Sequence, residues 1–168
     1  MAIIYYVNEA GKFMDDYARS NLEKYFLRSP EFLFGGYGVN LNDPAGDMQR
    51  TAEAIGKDSR KRIYHFVIAF PAGKDVPLVK LQPAMDAISA EIGQTFQVFY
   101  AIHTDKAHRH VQLMMNAVSY VTHKKFRGDR ESLHWITSVI RKYLYYLGEQ
   151  TTYMTFGKVP KAYMAFDG

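Results

Sequence analysis

The residues best suited to chemistry in this chain fall in one window of ten, His103-Thr104-Asp105-Lys106-Ala107-His108-Arg109-His110-Val111-Gln112. Three of the six histidines lie within eight positions, with a carboxylate and an amide among them. The apolar stretch that follows, Val111, Leu113, Met114 and Met115 and then Asn116, predicts a strand. Side chains two apart on a strand share a face, so His108, His110 and Gln112 project together. His103 and Asp105 can reach the same point from the preceding turn. Imidazoles, a carboxylate and an amide converging on one point can hold a divalent metal, with Asp105 accepting from a ring N–H. The competing reading is a basic surface strand that binds phosphate through protonated histidine and Arg109. His65, His123 and His134 stand alone and read as ordinary packed or surface groups.

Tyrosine is the second theme, with 13 residues. Most must serve packing. Tyr5-Tyr6 ends the first apolar run, where a chain leaves its sheet and a side chain can face a cleft. A phenol is a poor nucleophile unless a cation or a base assists it. A metal on a scissile phosphate would supply that help by stabilising the charge that develops.

Elements to position these groups can be read from periodicity. Ala2–Val7 is a β-branched and aromatic strand. Phe13, Tyr17, Leu22, Tyr25 and Phe26 recur at helical spacing, and Gly35-Gly36-Tyr37-Gly38 reads as a loop before a short extended piece near Tyr37–Leu41. A helix through Met48, Ala52 and Ile55 stops near Gly56. Arg62–Phe70 is a strand, Leu81 to Ile92 a helix ended by Gly93, and Phe96–Ile102 and His110–Tyr120 two further strands. Leu133, Ile136, Ile140, Leu144 and Leu147 make a long helix ending at Gly148. The tail to Gly168 is unplaced. The order β–α–(β)–α–β–α–β–β–α, with a tight connection at 103–109, implies a central antiparallel pair. The fold class expected is an α+β sandwich, a central antiparallel sheet flanked by helices packed on one main face.

Composition bounds the rest. The 168 residues fit a single domain able to bury a large core, and 48% are hydrophobic. The absence of cysteine excludes disulfides, thiolate metal sites and a cysteine nucleophile. No apolar run approaches the roughly 20 residues that span a bilayer, and no signal peptide opens the chain, so a soluble cytoplasmic protein without membrane insertion is expected. The net charge of +4 is unevenly placed: residues 57–168 carry 16 of the 21 Lys and Arg but only 9 of the 17 acids. Clusters at Lys57–Arg62, Lys106–Arg109 and Lys124–Arg130 suit a polyanionic partner such as nucleic acid, or simply a solvated surface.

Taken together these residues resemble the MobP-type relaxases, the mobilisation nucleases of conjugative DNA transfer. The resemblance is collinear over roughly residues 3–148. Tyr6-Val7-Asn8-Glu9-Ala10-Gly11-Lys12 looks like that family's tyrosine motif. Gly38-Val39-Asn40 follows, then Tyr64-His65-Phe66-Val67-Ile68-Ala69-Phe70-Pro71-Ala72-Gly73, where the family commonly has Ser-Phe in place of Ala69-Phe70. The third block is His103-x-Asp105 running to His110-Val111-Gln112 and Asn116. The Lys125-Phe126 turn and the helix from Leu133 complete the match. His-x-Asp and Tyr-Val are weak singly; their order and spacing carry the resemblance.

The resemblance implies an HUH-endonuclease fold and a metal-dependent, tyrosine-dependent nickase. Tyr6 would attack a phosphodiester of single-stranded DNA at an origin of transfer, leaving a 5′-phosphotyrosyl enzyme and a free 3′-hydroxyl. Mg²⁺ or Mn²⁺ would be held by His103, His110 and the residue at 112, with His108 a further candidate and Asp105 orienting a ligand histidine. Arg60, Lys61, Arg62, Lys106, Arg109, Lys124, Lys125 and Arg127 would bind the DNA backbone. Accessory relaxosome proteins and a type IV secretion coupling protein would be partners, in the bacterial cytoplasm or exported attached to DNA. One position departs from the pattern: the family has His-hydrophobic-His where this chain has His110-Val111-Gln112. An amide oxygen is a neutral, hard donor suited to Mg²⁺ or Mn²⁺, and some viral replication initiators of the superfamily carry His-hydrophobic-Gln. Residues 1–168 are expected to form one relaxase catalytic domain, either a minimal relaxase or a fragment of a longer one. Two alternatives remain open. One is a rolling-circle initiator or transposase using Tyr143, Tyr145 or Tyr146; the other is a non-catalytic DNA-binding descendant.

Overall fold

A computed structural model describes residues 2–8, 11–28, 32–71, 76–104 and 109–148. The element order matches the one expected: β1 (Ile3–Tyr6), α1 (Ala18–Phe26), β2 (Phe32–Tyr37), α2 (Pro44–Ile55), β3 (Ile63–Ala69), α3 (Leu78–Ile92), β4 (Val98–His103), β5 (His110–Asn116) and α4 (Arg130–Tyr145). The strands form one five-stranded sheet in the order β1-β3-β5-β4-β2, antiparallel throughout. This is an α+β sandwich, as the sequence implies.

Local chemistry explains the boundaries. Asp43 caps α2 by accepting from the Gly46 N–H, Pro44 opens its first turn, and Gly56 closes it in the left-handed conformation. The Asp129 carboxylate accepts from the Ser132 N–H and starts α4 in the same way. β2 differs from its sequence reading, because Gly35 and Gly36 lie inside the strand instead of in a loop. A Cβ at Gly35 would strike the Tyr100 ring and one at Gly36 the Val98 carbonyl, so these glycines serve a close approach.

The helices cover both faces of the sheet, not mainly one. On one face Ile4, Tyr6, Phe66, Ile68, Tyr100, Leu113 and Met115 pack with Leu81, Met85 and Ile88 of α3 and Ile136 and Ile140 of α4. On the other, Tyr5, Val67, Phe99 and Met114 pack with Leu22 and Phe26 of α1 and Met48 of α2. The central strand β5 is buried throughout, which is why its sequence is so apolar. Its polar residues, His110, Gln112 and Asn116, alternate with Val111, Leu113 and Met115. They therefore sit together on the α1/α2 face.

Candidate active site

His103 ends β4, His110 begins β5, and the two are direct cross-strand partners. Their rings meet edge to face with centroids 5.0 Å apart. His103 Nδ1 lies 3.2 Å from His110 Nε2. His103 Nε2 lies 2.8 Å from the Phe26 carbonyl at the end of α1. A carbonyl only accepts, so the Nε2–H of His103 donates to it and satisfies a helix-terminal oxygen. In the neutral ring the lone pair is then on Nδ1, the nitrogen that faces His110. Metal-bound histidines are commonly oriented by a donated bond of this kind.

Gln112 is fully buried on the same face, and its Oε1 lies 2.6 Å from His65 Nε2. With the amide oxygen accepting, His65 donates through Nε2–H. Burial pushes the His65 imidazole down to about 4, so it is neutral near pH 7. The rings of Phe13, Tyr25 and Phe26 surround it. His65 Nδ1 and Gln112 Nε2 are buried with no hydrogen-bond partner among the described residues. Each such atom costs about 1–3 kcal/mol, so the fold bears a penalty at this pair that a packed apolar core would not.

Tyr5 and Tyr6 separate. Tyr6 lies on the α3/α4 face, stacked on Tyr64 and Phe66 and only 3% exposed. Its hydroxyl accepts from Lys61 Nζ at 2.5 Å, and the same ammonium sits over the Tyr6 and Tyr64 rings. Burial raises the Tyr6 phenol far above its ordinary value and pushes Lys61 down to about 8. Tyr5 lies on the histidine face. It pairs with Val67, which pairs with Gln112, while Ile3 pairs with Ala69, which pairs with His110. Tyr5 therefore stands two strands, about 10 Å, from Gln112, across Val67 of β3. The structure thus joins His103, His110, Gln112, His65 and Tyr5 on one face and leaves Tyr6 on the other. α4, with Tyr143, Tyr145 and Tyr146 at its end, also packs across the sheet from the histidines.

The basic residues divide by sheet end. Arg109 adjoins His110 and donates to the Val76 carbonyl. Arg60, Lys61, Arg62, Lys124, Lys125 and Arg127 gather where β3 begins, beyond the last residue of β5. That is about 20 Å along the strand from His110. Arg62 is engaged by Asp58 and Asp16, and Lys125 by the Ser59 and Lys61 carbonyls, whereas Arg60, Lys124 and Arg127 are exposed. Asn116, also at that end, accepts from Arg19 and donates to the Met48 carbonyl and to Gln97. It belongs to a structural network and not to the histidine site. Asp105, Lys106 and His108 lie outside the described residues.

The geometry suits a cation. Two ligands about 2.1 Å from one metal and at right angles are about 3.0 Å apart, close to the 3.2 Å between the facing histidine nitrogens. The amide oxygen of Gln112 keeps a second lone pair beyond its bond to His65. Among the described residues no group of three His, Cys, Asp or Glu converges, and the Gln112 amide is a further polar group on the histidine face. His65 and the Phe26 carbonyl were not singled out by the sequence. The signal available for His65 was strand parity: once β3 pairs with β5, its side chain must share a face with Gln112.

The sequence profile of the family "Relaxase: MobA/VirD2-like, nuclease domain" matches residues 28–144. It spans both histidine strands and His65, and it starts after Tyr5 and Tyr6. No curated protein and no solved structure is significantly similar to the chain. Members of this family generally use divalent metals and act on single-stranded DNA. The antiparallel sheet, the facing histidines at the ends of two inner strands and a profile covering well over half of the chain agree: this protein belongs to the MobA/VirD2-like relaxases of the HUH superfamily and carries their DNA-nicking nuclease domain.

Proposed function

We propose that the chain nicks and rejoins one DNA strand at an origin of transfer, through a covalent 5′-phosphotyrosine, to mobilise a plasmid or integrative element. The observation that carries this reading is the pair of imidazole nitrogens facing each other at 3.2 Å inside a relaxase domain. His103, His110 and Gln112 would hold Mg²⁺ or Mn²⁺. When bound, the metal polarises the scissile phosphate and stabilises its developing charge. Tyr5 shares the face of these donors, two strands away across Val67, and this supports Tyr5 as the nucleophile. Its phenol oxygen bonds phosphorus, the P–O3′ bond breaks, and the phenol proton ends on the 3′-hydroxyl by way of solvent. Reversal by a 3′-hydroxyl rejoins the strand.

Tyr6 is the second reading, favoured by the tyrosine motif Tyr6–Lys12. It requires β1, a four-residue edge strand, to slip by one residue, which would turn every side chain to the opposite face. The position of α4 across the sheet argues against Tyr143, Tyr145 or Tyr146, and so against the rolling-circle or transposase alternative. Relaxosome proteins and a secretion coupling protein would act with the domain in a bacterial cytoplasm. No described helix is long and apolar enough to cross a membrane. The test is an SDS-resistant adduct with single-stranded DNA that needs Mn²⁺ or Mg²⁺ and leaves a free 3′-hydroxyl. DNA binding with neither adduct nor metal uptake would mark a non-catalytic descendant instead.

A further inference from the structure

We propose that His65 is a positioning residue for the metal centre: its Nε2–H holds the Gln112 amide so that the second oxygen lone pair is presented beside His103 and His110. The proposal rests on the reading that those three residues bind a divalent cation. Four observations carry it. His65 Nε2 to Gln112 Oε1 is 2.6 Å, within hydrogen-bond distance. Gln112 is wholly buried, so no solvent competes for its oxygen. The amide nitrogen of Gln112 has no partner among the described residues, which leaves His65 as the group that fixes the amide plane. Phe13, Tyr25 and Phe26 wall the imidazole in and hold its ring direction.

A free glutamine side chain has three rotatable bonds and two unlike ends, and only its oxygen is a ligand for a hard cation. An imidazole ligand needs a related sorting, since only one of its two nitrogens carries the lone pair in a given tautomer. A centre that uses an amide as its third donor therefore needs a neighbour that distinguishes oxygen from nitrogen. A ring N–H does so, because it bonds the amide oxygen and repels the NH₂. Phe26 does the equivalent for His103, where the helix-terminal carbonyl holds Nε2–H and turns Nδ1 toward His110. The two positioning groups come from different elements, β3 and the end of α1.

The test is calorimetric titration of Mn²⁺ into the wild type, His65→Gln, His65→Asn and each combined with Gln112→Ala. Glutamine can place an amide N–H where Nε2 stood, whereas asparagine is too short to reach it. Both are uncharged amides, so a general burial effect acts on them alike, and thermal melts without metal check that each folds. Loss of an outer hydrogen bond of this kind typically costs 10- to 100-fold in metal affinity. The expected result is a loss of about that size in His65→Asn, retention within a few-fold in His65→Gln, and no further loss from His65→Asn once Gln112 is alanine. Equal losses in the two single variants, or a loss of the same size in the Gln112→Ala background, would overturn the role of His65 while leaving the metal centre standing. A wild-type protein that takes up no Mn²⁺ would overturn both.

Discussion

Tyr5 and Tyr6 are neighbours in the chain and face opposite sides of the sheet. Tyr5 shares a face with His103, His110 and Gln112, and Tyr6 is stacked on Tyr64 and Phe66 beneath α3 and α4. Alternation along β1 makes the separation unavoidable while its register with β3 holds. Conservative phenylalanine variants distinguish the two. Tyr5→Phe should abolish the covalent adduct, and Tyr6→Phe should keep it. The reverse outcome would mean that β1 changes register when DNA binds.

His110 begins the central strand with its side chain almost wholly buried. Replacing it by alanine removes one of the two facing nitrogens without touching the basic end of the sheet. Mn²⁺ uptake should fall by at least tenfold, by analogy with loss of a supporting group alone. Binding of single-stranded DNA, measured by fluorescence anisotropy, should change little.

Arg60, Lys124 and Arg127 are exposed about 20 Å along the sheet from His110. If they contact phosphates, replacing all three by glutamine should weaken DNA binding and flatten its salt dependence. For single strands each lost phosphate contact lowers the slope of log K against log salt by about 0.7. The site of nicking should not move, since backbone contacts carry no sequence information.

Lys61 gives a pH prediction with a defined sign. Burial lowers its amine from 10.5 to about 8, so the folded state disfavours the charged form. Between about pH 8 and 10 the unfolded chain binds more protons at this group, and stability should rise with pH. Above pH 10 the raised Tyr6 phenol acts in the opposite direction, because only the unfolded tyrosine ionises. Lys61→Met should remove the rise, a difference of about 1 kcal/mol after allowance for solvent screening of a half-buried group. Urea unfolding at pH 7.5 and 9.5 measures it.

Asn116 links Arg19, Met48 and Gln97, and Arg19 is itself buried against Asp58. Asn116→Ala removes one acceptor of the Arg19 guanidinium, which keeps Asp58 and the Arg62 carbonyl, and takes a donor from the Met48 carbonyl and from Gln97. The expected cost is about 1–3 kcal/mol, read as a lower urea midpoint, with metal affinity per folded molecule unchanged.

The order of elements was legible because helix and strand periodicities differ and because β5, buried on both faces, reads as a long apolar run. The glycines of β2 signal a loop in the sequence, because the close approach of Tyr100 and the Val98 carbonyl that requires them is set by the fold. The facing of His103 and His110 followed from a tight connection between two strands. The face taken by Tyr5 or Tyr6 did not, since both faces of β1 are apolar and local pattern carries no sign of which helices cover which side. The role of His65 is hidden for a similar reason: its partner is 47 positions away and is set by the β3–β5 register. The basic clusters were visible, but their distance from the histidines depends on the length of β5.

A histidine face that directs a tyrosine of β1 onto a DNA phosphate in a metal-dependent way must leave a covalent trace. Covalent capture tests it most directly: the protein is incubated with a randomised pool of single-stranded DNA and Mn²⁺, and the adduct is digested and mapped by mass spectrometry. One modified peptide, Met1–Lys12, carrying DNA on Tyr5, is expected. The adduct should be absent with a chelator and absent in His110→Ala. An adduct that survives either treatment, one that maps to α4, or no adduct from any sequence in the pool would contradict it.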